Sequence, residues 1–181
     1  MSLPQPLPGR ECGECRACCV ALGIDDPDLK KADDVACPNM SAACGCLIYA
    51  ARPLACRSWF CGWRLMRLGD AMRPDRSNLL LVPEMGDGPG YQKGGLKIVP
   101  LDGDLSGVTA PELVDLAGKC VAADVPIYLS YGSGEACRRM LVNDLLKPYA
   151  RAGDRAGFVA ALTGTLTRMV EEVEGLTPSP R

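Results

Sequence analysis

The sequence predicts an α+β chain in which an irregular, cysteine-rich N-terminal region packs on a small antiparallel sheet with two or three helices. Three observations predict it. Nine of the eleven cysteines fall between Cys12 and Cys61. Two short apolar runs follow, bracketing a glycine-rich connection, and the remaining apolar residues recur at helical spacing. A chain of 181 residues is long enough to bury one real core, and no internal repeat or linker divides it. It reads as a single domain over 1–181, with a cysteine-rich region at 10–68, an α+β remainder at 69–175 and a flexible tail at 176–181.

Residues 1–10 are proline-rich, with neither a basic start leading into an apolar stretch nor a small-residue cleavage site, so no signal peptide is expected. Apolar runs stay far below the roughly 20 residues that a membrane span requires, which predicts a cytoplasmic protein with no membrane partner. Hydrophobic and charged contents of 48% and 23% argue against disorder. A net charge of -2 and a pI near 5.2 deny the chain the positive field that non-specific nucleic-acid binding uses, so nucleic acid is not an expected partner.

The cysteines come next. An odd total, the missing secretion signal and the adjacent pair Cys18 and Cys19 favour metal ions over disulfides as what holds them. Histidine is absent, which removes mixed Cys/His zinc sites and every mechanism that uses imidazole. Cys12-x-x-Cys15-x-x-Cys18 sets three sulfurs at three-residue intervals, a spacing that wraps one ion or cluster. It is similar to the start of a ferredoxin run, but Cys19 follows at once where that pattern has three intervening residues. Adjacent side chains point apart, so Cys18 and Cys19 suit two sites, or two corners of a polynuclear site, and more than one metal atom is expected. Cys37, Cys44, Cys46, Cys56 and Cys61 supply further sulfurs. No acidic residue lies between Asp34 and Asp70, whereas Arg52, Arg57, Arg64 and Arg67 do. Guanidinium groups there would stabilise an anionic metal–thiolate centre and lower the thiol pKa values, the alternative being a solvated basic face. Arg52 and Arg57 are the preferred pair.

Together, Cys12-x-x-Cys15-x-x-Cys18-Cys19, then Cys37, then Cys46-Leu47-Ile48-Tyr49-x-x-Arg52-Pro53-x-x-Cys56-Arg57 resembles the zinc- or iron-chelating cysteine-cluster family, which is related to the flagellin lysine N-methylases. The resemblance covers about the first third of the chain. It implies metal chelation, and only loosely a methyl-transfer reaction. By it the ligands are Cys12, Cys15, Cys18, Cys19, Cys37, Cys46 and Cys56, with Tyr49, Arg52, Pro53 and Arg57 as motif residues around them. Cys44 and Cys61 depart from the pattern and rank lower: where many members have Phe-Pro after the Cys-Arg pair, this chain has Ser58-Trp59-Phe60-Cys61. Zinc and iron–sulfur clusters share thiolate ligands, so both remain open.

Trp59, Phe60 and Trp63 are expected to cover the site, with Tyr49 helping to shield it. Residues 78–82 and 96–99 predict two strands of a long hairpin. Gly86, Gly88, Gly90 and Lys93 in the connection fit turn chemistry better than a phosphate loop. Thr109 and Glu112 form a capping-box signal for a helix to about residue 123, with Cys120 on its apolar face, and a strand follows over 126–131. Gly132-Ser133-Gly134 leads into a predicted helix at 135–147, with Cys137, Met140 and Leu141 as core; an anion site there ranks below a simple loop. Asp154 caps a last helix whose face carries Phe158, Ala161, Leu162, Leu166, Met169, Val170 and Val173.

Three functions fit these residues. A metal-binding protein with a structural or electron-carrying site needs only closed thiolate coordination. An iron–sulfur or zinc-dependent enzyme needs an open coordination position and a substrate pocket, with Asp25, Asp26 and Asp28 the nearest bases in sequence, though helix N-terminal roles suit them better. A thiol redox or metal-relay protein would use Cys18 and Cys19 reversibly. Protein partner and substrate are not legible here.

Overall fold

The N-terminal region folds as short pieces because glycine, proline and turn residues interrupt it every few positions. In the computed structural model, which describes residues 5–41, 43, 45–85 and 94–176, these pieces are α1 (Ala17–Ala21), the ribbon of β1 (Ile24–Asp26) with β2 (Leu29–Lys31), the ribbon of β3 (Met40–Ser41) with β4 (Gly45–Cys46), and the helices α2 (Leu54–Ser58), α3 (Gly62–Leu65) and α4 (Pro74–Ser77). Helices of four or five residues cannot stand alone. They are held by long-range bonds. Leu7 N–H donates to Arg64 O at 2.8 Å, and Arg64 Nε donates to Arg10 O at 2.7 Å. Arg10 in turn lies over the Trp63 ring, 4.5 Å from its centroid, and donates to the carbonyls of Trp63 and Leu68.

The remainder is built on β5 (Leu79–Met85), β6 (Gly94–Pro100), α5 (Pro111–Ala122), β7 (Ile127–Tyr131), β8 (Arg138–Leu141), α6 (Asn143–Ala152) and α7 (Arg155–Leu176). The four strands form one sheet in the order β5-β6-β7-β8. The predicted hairpin is present, paired from Leu79 opposite Pro100 to Met85 opposite Gly94; residues 86–93 of its connection, with Lys93 and the glycines at 86, 88 and 90, lie outside the described residues. The chain is α+β as expected. The sheet carries one feature the sequence did not announce: β6 and β7 run parallel, because α5 crosses between them, while both outer pairs are antiparallel.

β5 is an edge strand, yet Leu79, Leu80, Leu81 and Val82 are all buried, so both of its faces are covered. α3 of the cysteine-rich region and α4 just after that region pack against it. The approach is close: a Cβ on Gly62 would stand 2.7 Å from Leu81 Cβ. On α7, Phe158, Leu162, Leu166, Met169 and Val173 are buried, each contributing about 1.5–3 kcal/mol of apolar burial. Asp154 caps this helix as predicted, its Oδ1 accepting from Gly157 N–H at 2.8 Å.

Two expectations are corrected. The capping box does not form. Pro111 takes the first helical position of α5, Thr109 lies in a short 3₁₀ turn, and Glu112 instead accepts Gly69 N–H at 2.6 Å, tying α5 to the cysteine-rich region. The helix predicted at 135–147 is a 3₁₀ turn (Gly134–Ala136), then β8, then α6. Strand pairing with β7 overrides helical periodicity there. The buried Asn143 side chain joins the two structures, accepting Ile127 N–H at 2.7 Å and donating to Val125 O at 2.8 Å. Cys137, just before this outer strand, and Met140 within it, both predicted as core, are exposed, whereas Cys120 does pack against the core.

Candidate metal centre

The first two cysteines sit in a turn made possible by Gly13, whose φ of +53° suits glycine, and Cys15 N–H donates to Cys12 O at 2.9 Å. The β3–β4 ribbon lies directly on this turn. A Cβ on Gly45 would stand 2.5 Å from Gly13 O, and Gly45 itself has φ of +80°. Cys18 and Cys19 occupy α1, where successive side chains diverge by about 100°. Cys18 packs against the apolar core. On the neighbouring side, Cys19 O accepts Cys37 N–H at 2.9 Å, Cys37 O accepts Met40 N–H at 3.0 Å, and Met40 pairs with Cys46 across the ribbon. Cys56 lies in α2 and Cys61 just before α3.

The fold thus gathers thiols from separate segments. Cys12, Cys15, Cys18 and Cys19, together with Cys37, Cys46, Cys56 and Cys61, all line one cavity of about 380 Å³, and all eight are free thiols. Cys44 lies outside the described residues. Tyr49, Arg52, Trp59, Phe60 and Arg64 are among the other residues of its walls, as are the carboxylates Asp25 and Asp33. Trp63, expected in the cover, belongs to the core instead, buried with its Nε1 donating to Gly69 O at 3.2 Å.

The electrostatics divide the thiols. A hydrogen bond from Cys18 to Cys19 holds the Cys18 thiol well above its ordinary pKa, helped by burial and by the nearby Cys19, Cys12 and Cys61. The same bond lowers Cys19 to about 7, with Lys31 and Arg52 as the supporting cations. Burial pushes Cys15 up to about 11, with Asp75 and Cys61 adding to it. Burial likewise raises Cys61, with Cys12 adding to it and Arg64 opposing it. Burial also raises Cys56, and the thiols that act on it are Cys19, Cys37 and Cys46.

Of the arginines, Arg52 and Arg64 face the cavity. Arg52 stacks on Tyr49, 3.7 Å from the ring centroid, and its Nε donates to Tyr49 O at 2.8 Å. Arg64 is buried and donates from Nη1 to Cys12 Sγ at 3.7 Å. Arg57, the other preferred arginine, is not among the cavity-lining residues, and its charge acts on Asp26. Asp26 is buried, its oxygens accepting the N–H groups of Asp28 and Ala55, each at 3.0 Å, so it secures the start of α2 rather than serving as a base. Asp25 is exposed and pairs with Lys30 at 3.1 Å. Sequence reasoning passed over Lys31 and Asp75. Lys31 Nζ donates to the carbonyls of Val20 and Leu22 at the end of α1. Asp75 is held by Arg73 at 2.6 Å and hydrogen-bonds the Cys15 thiol. Neither lies within a recognisable spacing from a cysteine.

The donor chemistry fits zinc or an iron–sulfur cluster: eight soft sulfurs, no imidazole, and cations at the walls. Among the described residues, no three Cys, Asp or Glu side chains stand close enough together to hold a metal ion as they are. Tetrahedral zinc needs sulfurs about 3.8 Å apart. Protonated thiols gain nothing by closing to that spacing, and such sites complete themselves on binding. The shared cavity says which thiols lie near one another; an ion bound there would have to draw them together. Also among the described residues, no helix is long and apolar enough to cross a membrane. Compared with protein-family models, curated proteins and solved structures, the chain finds no match in any of the three.

Proposed function

We propose that this chain is a cytoplasmic metal-binding protein that coordinates zinc or an iron–sulfur cluster through its clustered thiolates, with closed coordination that serves a structural or electron-carrying role. One observation carries this reading: eight cysteines from separate short segments line a single cavity walled by two arginines. A lone free thiol packs as a small hydrophobe, which does not account for eight of them lining one cavity. A ligand set accounts for their number and convergence, with Arg52 and Arg64 offsetting the anionic charge that four thiolates leave on a divalent ion.

The test is purification without oxygen, followed by determination of zinc, iron and acid-labile sulfide on the sample scanned for visible absorption. Iron and sulfide with a brown colour support the electron-carrying form; colourless protein with zinc supports the structural form; protein with none of these overturns the reading. A second reading, as a metal relay, is favoured by the Cys18–Cys19 pair, in which one thiol is acidic and its neighbour is not. Lability separates the two: a relay centre gives up its ion to a chelator while folded, and a structural centre does so only on unfolding.

A further inference from the structure

We propose that Lys31 is a positioning residue of the thiol cavity: its ammonium grips the carbonyls at the C-terminal end of α1 and so fixes where Cys18 and Cys19 stand. The inference rests on the metal-binding reading above and deepens it.

α1 cannot hold this place by itself. A helix of five residues is too short to be stable alone, and α1 has no side-chain N-cap, no basic residue in its last turn and no fully buried residue. Ala17, Cys18, Ala21 and Leu22 touch the core, but each is only partly buried. Space lies on both sides of the helix. Cys18 and Cys19 line the thiol cavity, while Ala17, Val20 and Ala21 line a second cavity of about 870 Å³. Packing therefore leaves α1 loosely held, and hydrogen bonds from the ribbon that follows it supply the anchor.

Lys31 lies in β2, opposite Ile24 of β1, and its side chain reaches back to the end of the helix. Its Nζ donates to Val20 O and Ala32 O, each at 3.0 Å, and to Leu22 O. All three N–H groups of the ammonium are thereby used, and carbonyls that a helix end leaves without partners gain a cationic donor. Asp33 fastens the same corner, its Oδ1 accepting Gly23 N–H at 2.6 Å, and Cys37 N–H occupies Cys19 O at 2.9 Å. Three acceptors around one nitrogen suit an ammonium, whereas a guanidinium spreads its N–H groups along a flat fork and does not present three of them to one point. Val20, whose carbonyl is gripped, adjoins Cys19, and the charge of the same ammonium acts on the Cys19 thiol. One side chain thus sets the place of α1 and part of the field at the cavity.

The test uses the full chain, reduced and metal-free, in two measurements. In the first, Co²⁺ is titrated anaerobically while the thiolate charge-transfer band is followed. Lys31→Met is expected to weaken Co²⁺ binding about tenfold or more and to reduce the band at saturation, as thiolates drop out of the coordination. Lys31→Arg, which keeps the charge without the threefold grip, is expected to fall in the same direction, and Lys30→Met, which removes an exposed charge next in sequence, to match the unmodified chain. In the second, the ¹⁵N-labelled unmodified chain is observed by nuclear magnetic resonance at low temperature, where the Lys31 ammonium is expected to give a signal protected from exchange with water and that of exposed Lys30 to be lost. Parent affinity and spectrum in folded Lys31→Met overturn the inference. So does parent affinity in Lys31→Arg, which would make charge alone sufficient, or an equal loss in Lys30→Met. A Lys31 ammonium that exchanges as fast as that of Lys30 overturns it whether or not any variant folds. No Co²⁺ binding by the unmodified chain overturns the metal-binding reading instead, and the ammonium signal then still decides whether the grip exists.

Discussion

Arg64 has three roles with one side chain: its Nε closes on Arg10 O, its Nη1 reaches Cys12 Sγ, and its plane lies over the Phe60 ring with the guanidinium carbon 4.8 Å from the centroid. A buried guanidinium so fixed would compensate thiolate charge at a bound metal without spending side-chain entropy. Arg64→Met should therefore weaken zinc binding about 10–100-fold, measured by competition with a chromophoric chelator, while Arg57→Met changes it little. Asp26 gives a pH signature. Its folded-state pKa is lowered, chiefly by the Ala55 and Asp28 amides, so its stabilising effect is present above the unfolded value of about 3.9 and is lost as pH falls through the folded one. Asp26→Asn should lower the urea midpoint at pH 7, with the gap to the parent chain shrinking below about pH 3.9 and closing at lower pH. Cysteine positions were legible because spacing and density are properties of sequence. The partners at Arg64, Asp26, Lys31 and Asp75 were not, because each meets its group through a turn or across tens of residues, as Asp26 does with Ala55 at a separation of 29.

Elements of this protein are short where the thiols are and regular where they are not, and their legibility follows that split. The hairpin of β5 and β6 and the long α7 were readable from apolar pattern alone, since each buries a continuous row. The segment 135–147 was misread because Met140 and Leu141 satisfy a helical spacing, while the deciding interaction, pairing of Arg138–Leu141 with β7, is non-local. The β3–β4 ribbon has no room for a methyl group at Gly45. Gly45→Ala would bring a Cβ to 2.5 Å from Gly13 O and force alanine into a left-handed conformation. A cost on the order of 1–3 kcal/mol is expected, read as a lower melting temperature with the helical circular dichroism of the folded state unchanged.

The molecule as a whole joins an ordinary apolar core to a region with little core of its own. Metal removal should act on the two unequally. After anaerobic chelation, hydrogen exchange should accelerate across residues 12–61 and stay slow in α7 and the central strands; uniform acceleration would mean that the two halves unfold together. The clasp formed by Arg10, Trp63, Arg64 and Leu68 bears on this whole region. It joins positions 54 residues apart, so the stretch that carries the clustered cysteines is a lasso drawn shut by protein contacts alone. Closing a loop of that length costs roughly 3–4 kcal/mol of chain entropy, and doubling it adds only about 0.6. Insertions between one cysteine and the next would then lengthen the noose at small cost while leaving the sheet beneath it untouched. Within such a lasso, spacing between the cysteines can drift as long as the clasp itself holds.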